Sequence, residues 1–355
     1  MGGRGVATEP QRTFSRSAAF AGGFLTLVQA STSTPGAPES LAEVTALLQA
    51  AVAAPDNALA SFTPAVGFGD PGYRNAVPLV CVSSPWEGAL WIQSPEHVWT
   101  HERGLKKEVQ LFSGRPRALG IQRAWDLPHP PLGIPAWRAR PDGIELEAPL
   151  EGGLTVRFEV RVGDRMFEIR VGITNASAGP LANTRAQICS AFGEMESLGL
   201  QDPDTVTFFS EGRALGWRAG GLDYDWMESE RDPVSCRWKR PRYLMAWTRE
   251  SPEQRTAQDT PELRVLRRPL DAPIVAKSTL DGRRHVVFYS PWARAVMFNV
   301  YGPCCHTDPQ WRSIENGETR WTTVYGFFFE GDVAPLLARL AAAHELLRTD
   351  RGLER

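Results

Sequence analysis

Residues 154–175 read L-T-V-R-F-E-V-R-V-G-D-R-M-F-E-I-R-V-G-I-T-N, and they contain two runs in which apolar and polar side chains alternate. Leu154, Val156, Phe158, Val160 and Val162 fall on one side of the first run, and Phe167, Ile169, Val171 and Ile173 on one side of the second. Successive side chains of a strand point to opposite faces, so this period of two predicts strands with one buried and one wet face. The Gly163–Asp164 step between the runs supplies turn residues, and the whole reads as a β-hairpin.

The same signal extends outward from the hairpin. Strands are expected at 184–192, 206–209, 243–247, 274–280, 285–290, 295–301 and 319–329, with a second hairpin turn at Asp281–Gly282. Residues 55–150 are broken by Pro and Gly, which suits short strands and loops. At the end, residues 333–347 have helical spacing with Asp332 as N-cap, and near the start residues 41–54 read as a further helix closed by Pro55. The fold class predicted is mainly β: a large antiparallel β-sandwich with an N-terminal and a C-terminal helix, occupying 41–355 as one domain.

Residues 1–40 have a different composition. Arg12 and Arg16 precede a short apolar run and a Ser/Thr/Pro/Gly stretch, the three parts of a secretory signal. The piece Q-R-T-F-S-R-S-A-A-F-A-G-G resembles a twin-arginine export signal, with Gln11 at the first arginine position and Ser15 in place of the common leucine. Export to the periplasm or secretion is the expectation, with a cytoplasmic tail as the alternative. The run is too short to span a bilayer, so no integral membrane segment is expected in the mature chain.

A net charge of −2 gives no basic stripe for nucleic acid. Five cysteines without a C-x-x-C pair describe neither a disulfide framework nor a common zinc pattern, so no metal site is predicted. Dinucleotide, phosphate-loop and serine-hydrolase signatures are missing, so no cofactor is expected.

The segment I-T-N-A-S-A-G-P-L (173–181) after the long hairpin, C-C-H-T-D-P (304–309), I-E-N-G-E-T-R-W (314–321), and the final aromatic strand and helix together resemble the galactose-mutarotase-like β-supersandwich superfamily. That resemblance implies a partner that is a sugar or oligosaccharide. It leaves three functions open: an epimerase or lyase using histidine acid–base chemistry, a non-catalytic sugar-binding or structural module, and a glycoside hydrolase using carboxylates.

Candidate site residues follow from side-chain chemistry. His306, with Asp308 two residues on, lies in a stretch read as a loop, where an imidazole can move protons near neutral pH; the competing reading packs Cys304, Cys305 and His306 under the sandwich edge. Trp99, His101, Glu102 and Arg103 offer a ring, an imidazole, a carboxylate and a guanidinium within five residues, with His97 just upstream. His306, His101 and Asp308 are therefore the catalytic candidates. Trp137, Arg138 and Arg140 can clamp a carboxylate such as that of an acidic sugar. Asp223, Trp226 and Glu228 lie in an acidic, aromatic tract that can serve a glycosidic bond. Charges of these last two kinds are also what solvated loops carry.

Overall fold

The computed structural model describes residues 66–69, 79–102, 105–110, 137–150, 152–163, 166–192, 195–198, 202–216, 243–249, 263–299 and 304–351. The helix expected at 41–54 and the signal-like residues 1–40 lie outside them. In chain order the strands begin with β1 (Val66–Gly69), β2 (Leu79–Ser83), β3 (Ala89–Glu102), β4 (Leu105–Gln110), β5 (Trp137–Arg140) and β6 (Gly143–Leu150). They continue with β7 (Leu154–Gly163), β8 (Met166–Asn175), β9 (Leu181–Ala191), β10 (Val206–Ser210), β11 (Arg213–Gly216) and β12 (Tyr243–Thr248). The last are β13 (Leu263–Leu270), β14 (Ile274–Ser278), β15 (Arg284–Tyr289), β16 (Ala293–Asn299), β17 (Cys304–Ile314) and β18 (Thr319–Glu330), followed by helix α1 (Val333–Arg351).

Two nine-stranded sheets result. The first runs β1-β2-β3-β9-β17-β16-β12-β13 with β4 also paired to β3, and the second runs β11-β10-β14-β15-β18-β8-β7-β6-β5. Among the described strands only β12 and β13 pair in parallel. The expected hairpin is β7–β8, in register from Leu154 opposite Asn175 to Gly163 opposite Met166. Its apolar side chains Val156, Phe158, Val160, Phe167, Ile169, Val171 and Ile173 are fully buried, as the alternation requires. Phe167 packs over Gly326 of β18, where a Cβ would come within 2.0 Å of the ring. Glycine is needed there for the ring to seat.

Asn175 ties the sheets together where the chain passes from one to the other. Its Nδ2 donates to the carbonyls of Ile314 in the first sheet (2.9 Å) and Gly179 (2.8 Å), while its Oδ1 accepts from Ser177 N and Oγ. A buried amide with all these partners costs little to bury and fixes one crossover geometry.

Among the described residues, a lysine sits between the sheets. Lys277 of β14 is fully buried, its Nζ donating to Thr205 Oγ1 and lying 4.9 Å from the centroid of the Phe298 ring. Burial drives its ammonium down to about 8, and burial likewise pushes the neighbouring Cys305 thiol well up.

Helix α1 starts at Val333, where expected, and Asp332 Oδ1 caps it by accepting from Ala334 N at 3.0 Å. Its Leu336, Leu337, Leu340 and Leu347 are buried, and His344 Nδ1 meets Tyr289 OH of β15 at 3.1 Å. The helix thus covers part of the outer side of the second sheet. It is the only described helix of any length, and no described helix is long and apolar enough to cross a membrane.

One expectation is corrected. Residues 304–314, read as loop around His306 and Asp308, form β17, a central strand of the first sheet. The turn-like residues misled: Pro309 sits inside the strand, where its missing N–H is tolerated because the ladder is irregular there. The register with β16 shifts at this point, between Ala293 and Ala295.

Candidate functional site on the outer face of the first sheet

The alternation of β17 sends Cys305 and Trp311 into the core. By the same period Cys304, His306 and Asp308 point the other way, to the outer face of the first sheet. Register then determines their neighbours. His306 stands opposite Cys189 of β9 on one side and Met297 of β16 on the other, and Met297 stands opposite Met245 of β12. One step along, Asp308 is opposite Ala295, which is opposite Trp247. Met245, Trp247, Ala295 and Met297 form a small apolar cluster of their own, separate from the main core.

Within this face Cys304 Sγ is 3.2 Å from His306 Nε2, and His306 Nδ1 is 3.9 Å from Asp308 Oδ1. The same carboxylate oxygen accepts from the backbone N–H of Ile188 at 3.3 Å. It thereby supplies an acceptor close to the point where Pro309 interrupts regular pairing. His306 and Asp308 are 2% and 3% exposed, so this pair is sunk into the face. Around it lies a half-buried strip made of Trp91 on β3, Arg185 and Gln187 on β9 and Gln310 on β17. Gln310 is opposite Arg185, and Trp91 is opposite Ala191. The indole Nε1 atoms of Trp91 and Trp247 are buried with no hydrogen-bond partner among the described residues.

The other candidates are placed as follows. Trp99 is opposite Arg185, His101 opposite Ala182 and Glu102 opposite Leu181, all on β3. Since His306 is opposite Cys189, seven positions from Ala182 on β9, the His101 and His306 backbones are separated by roughly 20 Å along the sheet. His97, opposite Gln187, is the β3 histidine whose backbone stands closer to the pair. Arg103, Asp223, Trp226 and Glu228 lie outside the described residues.

Trp137, Arg138 and Arg140 belong to β5, the edge of the second sheet, with Trp137 opposite Leu146. There the two arginines meet carboxylates of their own sheet. Arg138 pairs with Glu145 at 3.3 Å, and Arg140 pairs with both Glu145 and Glu159. Glu145 and Glu159 are directly opposite each other, an arrangement that repels unless bridged. Arg140 supplies that bridge, Arg161 and Arg170 also pair with Glu159, and Arg170 lies over the Trp321 ring at 5.0 Å. A cleft of about 140 Å³ between them is lined by these charges. A larger one of about 490 Å³ lies beside α1, walled by Ala338, Ala341 and Ala342 and closed by the Arg249–Asp271 pair.

Sequence reasoning passed over Cys189, Trp91, Trp247, Arg185, Met245 and Met297. The signal for Cys304, His306 and Asp308 as one set was their spacing of two, which has meaning only once 304–314 is a strand.

No family model matches the chain, and no curated protein matches it. Among solved structures, it is similar to a putative aldose 1-epimerase from Escherichia coli K12, at 10% identity over 76% of this chain and 100% of that one, with a TM-score of 0.39. It is similar to a GalM/aldose epimerase homologue from C. elegans at 10% identity, again over 76% and 100%, with a TM-score of 0.40. A GH36 alpha-galactosidase from Geobacillus stearothermophilus matches at 11% identity over 71% of this chain and 30% of that one, with a TM-score of 0.29. These likenesses concern the layout of strands alone, and shared layout does not transfer chemistry.

Proposed function

We propose that the protein binds a saccharide across the outer face of the first sheet, at the strip formed by Trp91, Arg185, Gln187 and Gln310. The observation that carries this reading is the composition of that face. Two indoles, a guanidinium and two carboxamides share one side of neighbouring strands of the same sheet. Sugars present flat C–H surfaces edged with hydroxyls, and aromatic rings with a polar edge are suited to both.

The reading is one of binding. Acid–base catalysis by His101 together with His306 is not carried forward, because two groups acting on one substrate must lie within hydrogen-bond reach of it and the register separates their backbones by roughly 20 Å. The test is a thermal-shift screen of neutral and acidic mono- and oligosaccharides on the full chain. A bound sugar raises the melting temperature in proportion to the logarithm of its concentration above Kd. Trp91→Ala and Arg185→Ala should each abolish that rise. No stabilisation by any sugar, or stabilisation that both variants retain, would overturn the assignment.

A further inference from the structure

Three potential ligand atoms converge at one point of the same face. The thiols of Cys189 and Cys304 and a ring nitrogen of His306 lie within 4.8 Å of one another, all three residues buried. We propose that Cys189, Cys304 and His306 bind one zinc ion through the two thiolates and His306 Nε2, with Asp308 as the carboxylate that orients the imidazole.

The geometry matches what the ion demands. Tetrahedral zinc with ordinary Zn–S and Zn–N bonds separates its ligand atoms by roughly 3.5–3.8 Å. Cys304 Sγ to His306 Nε2 is 3.2 Å and every pair of ligand atoms lies within 4.8 Å, so closing on a metal needs side-chain movements of about 1 Å or less. The backbone is already fixed: Cys189 and His306 are register partners on adjacent central strands, and Cys304 is two residues from His306 on the same face. Cys305, between them, points into the core and takes no part.

The chemistry of the donors points the same way. Two thiolates and a neutral imidazole around a divalent ion form a complex of zero net charge, the form least costly to bury. A monovalent copper ion in the same place would leave one negative charge beside the Asp308 carboxylate. Histidine ligands are usually held by a carboxylate on the nitrogen that does not bind metal; Asp308 Oδ1 lies 3.9 Å from Nδ1, beyond hydrogen-bond distance until the imidazole shifts toward it, while Nε2 faces the thiols. Three protein ligands leave a fourth position for water or a small molecule.

The experiment uses the full chain, purified under reducing conditions, treated with chelator and titrated with Zn²⁺ and, in parallel, Co²⁺. One equivalent of Zn²⁺ should be retained through desalting, and Co²⁺ should give a thiolate-to-cobalt charge-transfer band with the strong visible absorption of a tetrahedral site. Cys189→Ser and Cys304→Ser should each weaken the band and lower affinity at least tenfold, whereas Cys81→Ser, on β2, should change neither. Asp308→Asn should lower affinity about tenfold to a hundredfold while keeping the band, a signature of a positioning residue. Retention of less than one equivalent, binding by both Ser variants equal to that of the unsubstituted chain, a Cys189–Cys304 disulfide in the isolated chain, or uptake of Cu⁺ without Zn²⁺ would each overturn the proposal. If one Ser variant does not fold, the other and the Asp308→Asn spectrum still decide it. Sugar stabilisation measured on the chelated chain is a separate readout, so either proposal can fail alone.

Discussion

The two sheets of this protein turn very different outer faces away from their shared core. On the second sheet, β5 to β8 carry a lattice of opposite charges in which Glu145 and Glu159 are held by Arg138, Arg140, Arg161 and Arg170. On the first sheet, the same alternation delivers Cys189, Cys304, His306, Asp308, Met245, Met297 and Trp247, a soft and largely buried set with few charges. The lesson concerns how polar groups are used. Where arginine and glutamate satisfy one another across strands, a polar face is structure; the first face instead gathers thiols, an imidazole and indoles, the groups on which both proposals rest.

The sharpest way to break that contrast is Glu159→Ala. Glu159 is the shared partner of Arg140, Arg161 and the buried Arg170, whose guanidinium burial already holds below its usual value. Leaving a buried cation without its partner should cost about 3–5 kcal/mol, read as a lower denaturant midpoint at constant slope. A loss below about 1 kcal/mol would show that the lattice is solvated decoration.

Between the faces, Lys277→Met should act in the opposite direction. With its folded value at about 8 and its ordinary value at 10.5, the lysine is charged in both states below pH 8, and its burial then costs roughly 3 kcal/mol. From pH 8 to 10.5 the unfolded chain holds the proton that the folded chain has lost, so wild-type stability rises with pH, and above 10.5 the cost is gone. Chemical denaturation should therefore find Lys277→Met more stable at pH 7, with the gap closing as pH climbs through that window. A gap independent of pH would contradict the assignment.

On the first face, Trp247→Phe should change stability by about 1 kcal/mol or less, because the indole N–H it removes makes no hydrogen bond among the described residues. A substantially larger loss would mean that this ring is structural in the way the arginine lattice is. The smallest effect is expected for Arg157→Ala. Its pair with Glu147 is exposed, at 47% and 40% of the side chains, and should contribute under about 0.5 kcal/mol in a double-mutant cycle with Glu147→Ala.

The hairpin β7–β8, the Asp281–Gly282 turn and the cap of α1 at Asp332 were all readable from residues close together in the chain, because alternation, positive φ and capping are local properties. Gly282 does have a φ of 64°. β17 was not readable in that way. Its Cys-Cys-His-Thr-Asp-Pro sequence carries no run of apolar alternation, and it becomes a strand because β9 and β16 flank it. Arg138 and Arg140 show the converse: they were recognisable as a cationic pair, but their carboxylate partners were not.

From its own letters the chain establishes which stretches have a buried and a wet side, where several of them turn, and that the product is a β-sandwich closed by a helix. Period-two burial needs no partner to be recognised. Which outward-facing residues meet is settled only when strands far apart in sequence are set in register. Cys189 faces His306 because β9 and β17 are neighbours in space, and Glu159 faces Glu145 and Arg170 because β6 and β8 flank β7. Hydrogen-bonded register is a property of pairs of strands, so the site belongs to the tertiary structure.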